Sequence, residues 1–294
     1  SFFVSISFFL LLHDMQYRQA VNWQMCGYNQ PPHLSYFIGK AEGYTVAPPP
    51  VISNGRVVIE DAITTEHNDQ HLLMANPEGG EVSVAEGVQP YILTVNAFSH
   101  TTGSNNNNNI STSYSAYTLT GAPFTGPMRL VKQGEGILNL GGNHTYTGET
   151  MLWGGVTNFE GELPNSPVVM KRFAELNGNL KMGKNLSMEY GAIIRPGGVE
   201  AVGAMSVDSL EMHFGAVAEF DLYADGFVAD TLNIKGLLSI EAITRSDAPA
   251  YKAPVFRFVQ HLAAGEEKMT PGSYFIAYVG EVKGDIEDII IEGL

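Results

Sequence analysis

Short apolar runs, alternating with polar residues and broken every few positions by glycine, proline or asparagine, make up most of this chain. From Arg56 the runs "RVVIED", "HLLMAN", "EVSVAEG" and "YILTVNAFS" follow one another at about 8–12 residue spacing, the period-two signature of strands with one buried face. The pattern resumes downstream in "NLKMG", "NLSMEYGAIIRPGG", "AMSVDSLEM", "AVAEFDLYADG" and "DTLNIKGLLSI". Alternation puts Leu186 and Met188, Ile194, Met205 and Val207, Leu210 and Met212, Phe220 and Leu222, Leu232 and Ile234 on one side, and these are the expected core. Stretches with good helical character are scarce, so the chain reads as all-β.

Between Lys132 and Gly155 the strands carry a denser glycine pattern, with Gly134, Gly136, Gly142, Gly148 and Gly154 each expected at a tight reversal. Many short strands, glycine at the corners and no helices between them predict a right-handed β-solenoid, whose coils bury their inward residues on one another. β-sandwich domains share the same strand spacing and stand as the alternative, above all for residues 51–125. Two low-complexity breaks divide the chain. Pro48, Pro49 and Pro50 cannot donate to a sheet and mark a linker, and the five asparagines Asn105–Asn109 have no apolar face and mark a solvated loop. The expected organisation is a first unit at 1–44, a proline-rich linker at 45–50, a β-rich region at 51–125, a β-helical repeat region at 126–245, and a closing β-hairpin region at 246–294 around Gly284-Asp285.

The run "KQGEGILNL" at Lys132–Leu140, followed by "GNHTYTGET" at Gly142–Thr150, resembles the autotransporter-associated β-strand repeat, whose pattern is K-x-G-x-G-x-L-x-L and then G-x-N-x-Y-x-G-x-T. "AIIRPGG" at Ala192–Gly198 resembles the segment common downstream in that family. The resemblance covers about 20 residues cleanly and implies an exported β-helical stalk with no chemistry of its own.

Charge narrows the options. With 31 acidic against 16 basic residues the net charge is −15, which argues against a phosphate-binding role. Residues 51–125 hold Arg56 as their one Arg, no Lys and seven acidic groups, so an anionic polysaccharide must bind elsewhere or through a metal. The single cysteine, Cys26, excludes an internal disulfide and reads as a small buried apolar residue. The opening "SFFVSISFFLLL" would span about 18 Å as a helix, short of a hydrocarbon core of about 30 Å. It has no basic leader and no small-residue cleavage site, and reads as a buried strand that begins mid-protein or as non-native sequence at a fragment edge. Both ends of the chain read as cut.

The densest chemistry lies in "HDMQYRQAVNWQMCGYNQPPH", His13–His33. "HDMQYR" followed by "WQ…YNQPPH" resembles the carboxy-terminal end of the family 11 rhamnogalacturonan lyases, with Met25 where that family usually has Asn. The resemblance covers residues 11–39. It implies a secreted bacterial lyase on an eight-bladed β-propeller, assisted by calcium, that cleaves the rhamnose–galacturonate backbone of pectin by β-elimination. Such chemistry needs a base for the proton α to the uronate carboxylate and a cation to stabilise the enolate. Residues 1–44 would supply at most one blade, so no catalytic residue and no metal ligand is assigned here. Tyr28, Asn29 and Gln30, held extended before Pro31-Pro32, are candidates to hydrogen-bond or stack on a sugar; the alternative is that they cap the last blade. Arg18 is a candidate partner for a galacturonate carboxylate, with Asp14 as the competing partner. His13 and His33 read as structural hydrogen-bonding residues and Trp23 as core. "EHNDQH", Glu66–His71, places two histidines four apart among acids, but no third ligand or helix aligns them and a solvated loop is expected. A non-catalytic surface or adhesion module that displays or binds carbohydrate is the competing function.

Overall fold

The computed structural model describes residues 52–53, 55–103, 110–224, 228–243, 253–262 and 273–294. The chain divides into two compact units, Ser1–Ser53 and Asn54–Leu294, and every described strand except Ile52–Ser53 lies in the second.

That second unit is a parallel β-solenoid with three stacks of strands. The first stack runs through Arg56–Val58, His71–Met74, Ile92–Asn96, Arg129–Gln133, Thr150–Leu152, Val168–Met170, Asn185–Met188 and Ser209–Met212, then the latter parts of Thr231–Ile240 and Ala277–Lys283. The second runs from Ala62–Ile63 and Gly79–Val84 through Ala116–Gly121, Ile137–Asn143, Gly155–Leu163, Ala174–Gly178, Ile193–Pro196, Val217–Tyr223 and Val255–His261 to Ile290–Glu292. The third opens at the end of Gly155–Leu163 and continues through Leu180–Met182, Ala204–Val207 and the starts of Thr231–Ile240 and Ala277–Lys283. Successive circuits pass from stack to stack, so the strands inside each stack pair with the coil before and the coil after.

The register explains why these sequences coil. Met74, Val95, Lys132, Leu152, Met170, Met188, Met212 and Ile240 stand one above another in the first stack. In the second, Leu138, Thr157, Leu176, Ile194 and Ala218 form the matching interior column. The side chains of both columns are almost wholly removed from water. The interior is thus built from identical positions of successive coils, which is why no coil could hide its apolar face alone. All the inward positions expected from alternation, from Leu186 to Ile234, are buried.

Three expectations change. Residues 51–125 do not form a separate sandwich: Ile92–Asn96 pairs in parallel with Arg129–Gln133, and Ala116–Gly121 with Ile137–Asn143, so the stack passes straight through position 125. The strands either side of Gly284-Asp285 do not form a hairpin. Ala277–Lys283 pairs with Thr231–Ile240 and Ile290–Glu292 with Val255–His261, because the turn leads to the next face of the coil instead of back along the same one. Not every glycine of the dense pattern marks a reversal. Gly136 and Gly148 keep ordinary φ and are needed for closeness, since a Cβ would lie 2.4 Å from the Ser115 carbonyl oxygen and 2.2 Å from that of Met128. The antiparallel exceptions are local: Ser99–Gly103 with Ile110–Tyr114, and Val228–Ala229 with Leu222 and Tyr223. The asparagine run, the proline linker and the first unit at 1–44 with its propeller expectation lie outside the described residues.

Candidate functional surface

Arg18, Tyr28, Asn29 and Gln30 lie outside the described residues, as do His13, Trp23, Cys26 and His33. The described chemistry is that of the solenoid wall. Glu66–His71 forms one turn of 3-10 helix at Thr65–His67, where His67 Nδ1 accepts the Thr64 backbone N–H at 2.9 Å. His71 instead faces Tyr91, ring centroids 5.0 Å apart. The two histidines are engaged in different places and do not converge. Among the described residues no three of His, Cys, Asp and Glu come together to hold a metal ion.

On the outer face of the second stack a single column changes chemistry along its length. Asn139 donates to Thr118 Oγ1 at 3.1 Å, Asn158 to Asn139 Oδ1 at 2.9 Å and Asn177 to Asn158 Oδ1 at 3.2 Å. Above Asn177 stands Arg195, which binds Glu175 and Glu219 at 2.5 Å each. Arg257 then links Glu219 at 3.2 Å to Glu292 at 3.0 Å. Two guanidiniums are shared among three carboxylates, so both guanidiniums are paired and the cluster keeps one formal negative charge in excess.

Where the second face turns toward the third, Asp230 is buried and accepts the N–H groups of Gly203 and Asp221, at 2.8 and 2.9 Å. Desolvation pushes its carboxyl up to about 6. Asp221 accepts from His261 Nε2 at 2.9 Å, and the His261 ring stacks on Tyr223 with centroids 4.2 Å apart. These groups are occupied in closing the corner.

The corner between the first and second stacks differs from coil to coil. "KRFA" at Lys171–Ala174, "EYGA" at Glu189–Ala192 and "HFGA" at His213–Ala216 occupy equivalent places, set by the register of Met170, Met188 and Met212 before them and Glu175, Ile193 and Val217 after. Gly191 and Gly215 adopt φ of +74° and +73°, and Phe173 adopts +61° at the same position. The Phe173 ring lies over Gly191 and the Tyr190 ring over Gly215, where an added Cβ would come within 2.6 and 2.4 Å of ring carbons. Phe173 meets Tyr190 edge-on at 6.3 Å, and Tyr190 meets Phe214 at 5.8 Å, giving a ridge of three rings along the solenoid axis. Phe173 is 62% exposed and the other two rings are half-buried. Beside the ridge Lys171 pairs with Glu189 at 2.6 Å and His213 with Glu241, while Arg172 is exposed and makes no ion pair among the described residues. Sequence reading passed over this ridge because its aromatics fall at unequal spacing and outside the strands; the recurring [Y/F]-G-A was the available signal.

Residues 4–48 match the family described as rhamnogalacturonan lyase family 11, C-terminal domain. The chain is 50% identical over 32 residues to the rhamnogalacturonan exolyase YesX of Bacillus subtilis (strain 168), an alignment covering 11% of this chain and 5% of that protein. It is 45% identical over 42 residues to the rhamnogalacturonan endolyase YesW of the same organism, covering 14% of this chain and 6% of that protein. The chain therefore spans only about a twentieth of the length of these relatives. No solved structure matches. Among the described residues no helix is long and apolar enough to cross a membrane.

Proposed function

We propose that this chain carries the carboxy-terminal end of an exported bacterial polysaccharide lyase that cleaves the rhamnogalacturonan backbone of pectin by β-elimination, followed by a non-catalytic β-solenoid. The observation that carries the reading is the family match at residues 4–48, which contains Arg18, Tyr28, Asn29 and Gln30. In this reading residues 1–44 close a propeller ring, Tyr28, Asn29 and Gln30 reach toward sugar hydroxyls, and Arg18 pairs with a galacturonate carboxylate. Calcium belongs to the parent enzyme's catalytic part. Among the described residues no three of His, Cys, Asp and Glu come together to hold it.

A second reading is favoured by the Lys132–Thr150 pattern: a surface or adhesion module of autotransporter-repeat type that displays or binds carbohydrate. Incubation of the 294-residue chain with rhamnogalacturonan and calcium tests the first reading by the ultraviolet absorbance of an unsaturated product. The lyase-end reading expects no turnover from these residues alone, because none of them is assigned as the base. Product formation would overturn the assignment of 1–44 as a closing segment.

A further inference from the structure

We infer that the ridge of Phe173, Tyr190 and Phe214, with Arg172 beside it, is a stacking platform for a uronate-containing polysaccharide chain; the ligand class rests on the proposed pectic function. A left-handed φ costs a residue with a Cβ about 1–2 kcal/mol, and the next two coils avoid that cost with glycine. Phe173 accepts it, and places a large apolar ring 62% in water. Packing over Gly191 and edge-on against Tyr190 covers only part of the ring. Folding alone has no need of that arrangement, since glycine closes the same corner twice.

The rings climb the solenoid from coil to coil, about 4.8 Å per parallel strand step, so they form a track and not an isolated contact. The C–H faces of pyranose rings stack on aromatic faces, and a linear sugar chain laid along the axis would meet the rings in succession. On a chain of net charge −15, the ridge is flanked by Arg172, which makes no ion pair among the described residues, and by Lys171, which pairs with Glu189, while Glu241 and Glu211 both lie against His213. A guanidinium free for bidentate pairing suits a uronate carboxylate.

The test is isothermal titration of the full chain with rhamnogalacturonan oligosaccharides and with cellohexaose as a neutral chain. Phe173→Gly removes the ring and fits the backbone, so folding is retained and is checked by urea denaturation. The inference expects Phe173→Gly to weaken binding of the acidic chain at least tenfold. Arg172→Ala should weaken the acidic chain selectively, and Tyr91→Ala, an exposed aromatic on another corner, should bind as the wild type does. Unchanged affinity of Phe173→Gly, or absence of binding by the wild type, would overturn the ridge and leave the lyase reading in place. Equal binding of both oligosaccharides, still lost in Phe173→Gly, would overturn the uronate assignment and count against the pectic reading itself.

Discussion

Lys132 stands in a column otherwise filled by Val95, Leu152 and Met170, and its side chain is fully buried. Its ammonium reaches the corner of the coil and donates to the carbonyls of Gly134, Gly136 and Gly154, at 2.7, 2.6 and 2.5 Å. Burial pulls its pKa down to about 7, against the pull of Glu135 and Glu175. One cation thereby satisfies carbonyls of two successive coils, which gives the K-x-G-x-G spacing a physical reason. His144 plays a related part. Nδ1 accepts the Phe124 N–H at 2.9 Å, and Nε2 donates to the Gly141 carbonyl at 3.0 Å, so the ring is neutral in the fold. Burial holds its pKa below the usual value. The unfolded chain takes up a proton here below about pH 6.5 while the folded chain does not. The site's contribution is therefore present above that pH and lost as the pH falls through it. Urea denaturation at pH 7.5 and 5.0 should find His144→Leu less stable than the wild type at the higher pH, by about 1–3 kcal/mol, with a smaller gap at the lower. Asp230, raised to about 6, acts in the opposite sense in both proteins, so the comparison cancels it. An equal gap at both pH values would show that His144 does not titrate with folding.

At the scale of strands and corners, close approach decides which glycines matter. A Cβ at Gly155 would lie 2.3 Å from Lys132 Nζ and 2.4 Å from the Gly136 carbonyl oxygen, at a φ of +61°. At Gly198, with φ +107°, it would meet nothing within 4 Å. Thermal denaturation should therefore separate two chemically identical changes. Gly155→Ala should cost about 3 kcal/mol or more, by steric displacement of the lysine corner, and Gly198→Ala about 1–2 kcal/mol, from backbone strain alone. Similar losses would mean that the corner yields easily. Strand positions and the inward residues were legible in the sequence because alternation reports directly which side is buried. The connections were not. A parallel solenoid and a sandwich use the same short strands, and only pairing across a whole coil distinguishes them, as the partnership of Ile92–Asn96 with Arg129–Gln133 across the intervening hairpin illustrates. Lys132 was hidden for a similar reason: a charged residue at an inward position looks like a break in the pattern until its three carbonyl partners are in view.

For the whole molecule, two kinds of information lie at opposite ends. The specific motif chemistry sits in residues 4–48, where short quoted sequences sufficed to suggest a lyase family. The architecture sits in Asn54–Leu294, where motifs are sparse and the stack carries the meaning. The ridge at Phe173 belongs to neither signal, because it exists only where successive coils align. In the proposed function the amino-terminal segment does the work of a lyase's closing end. A chimaera tests it most directly: residues 4–48 of this chain replace the matching segment of the Bacillus subtilis rhamnogalacturonan endolyase, and lyase activity is measured on rhamnogalacturonan. The expected result is a folded enzyme that keeps activity within about tenfold of its parent, or about 1.4 kcal/mol in transition-state stabilisation. A chimaera that folds like the parent but has lost its activity would contradict it.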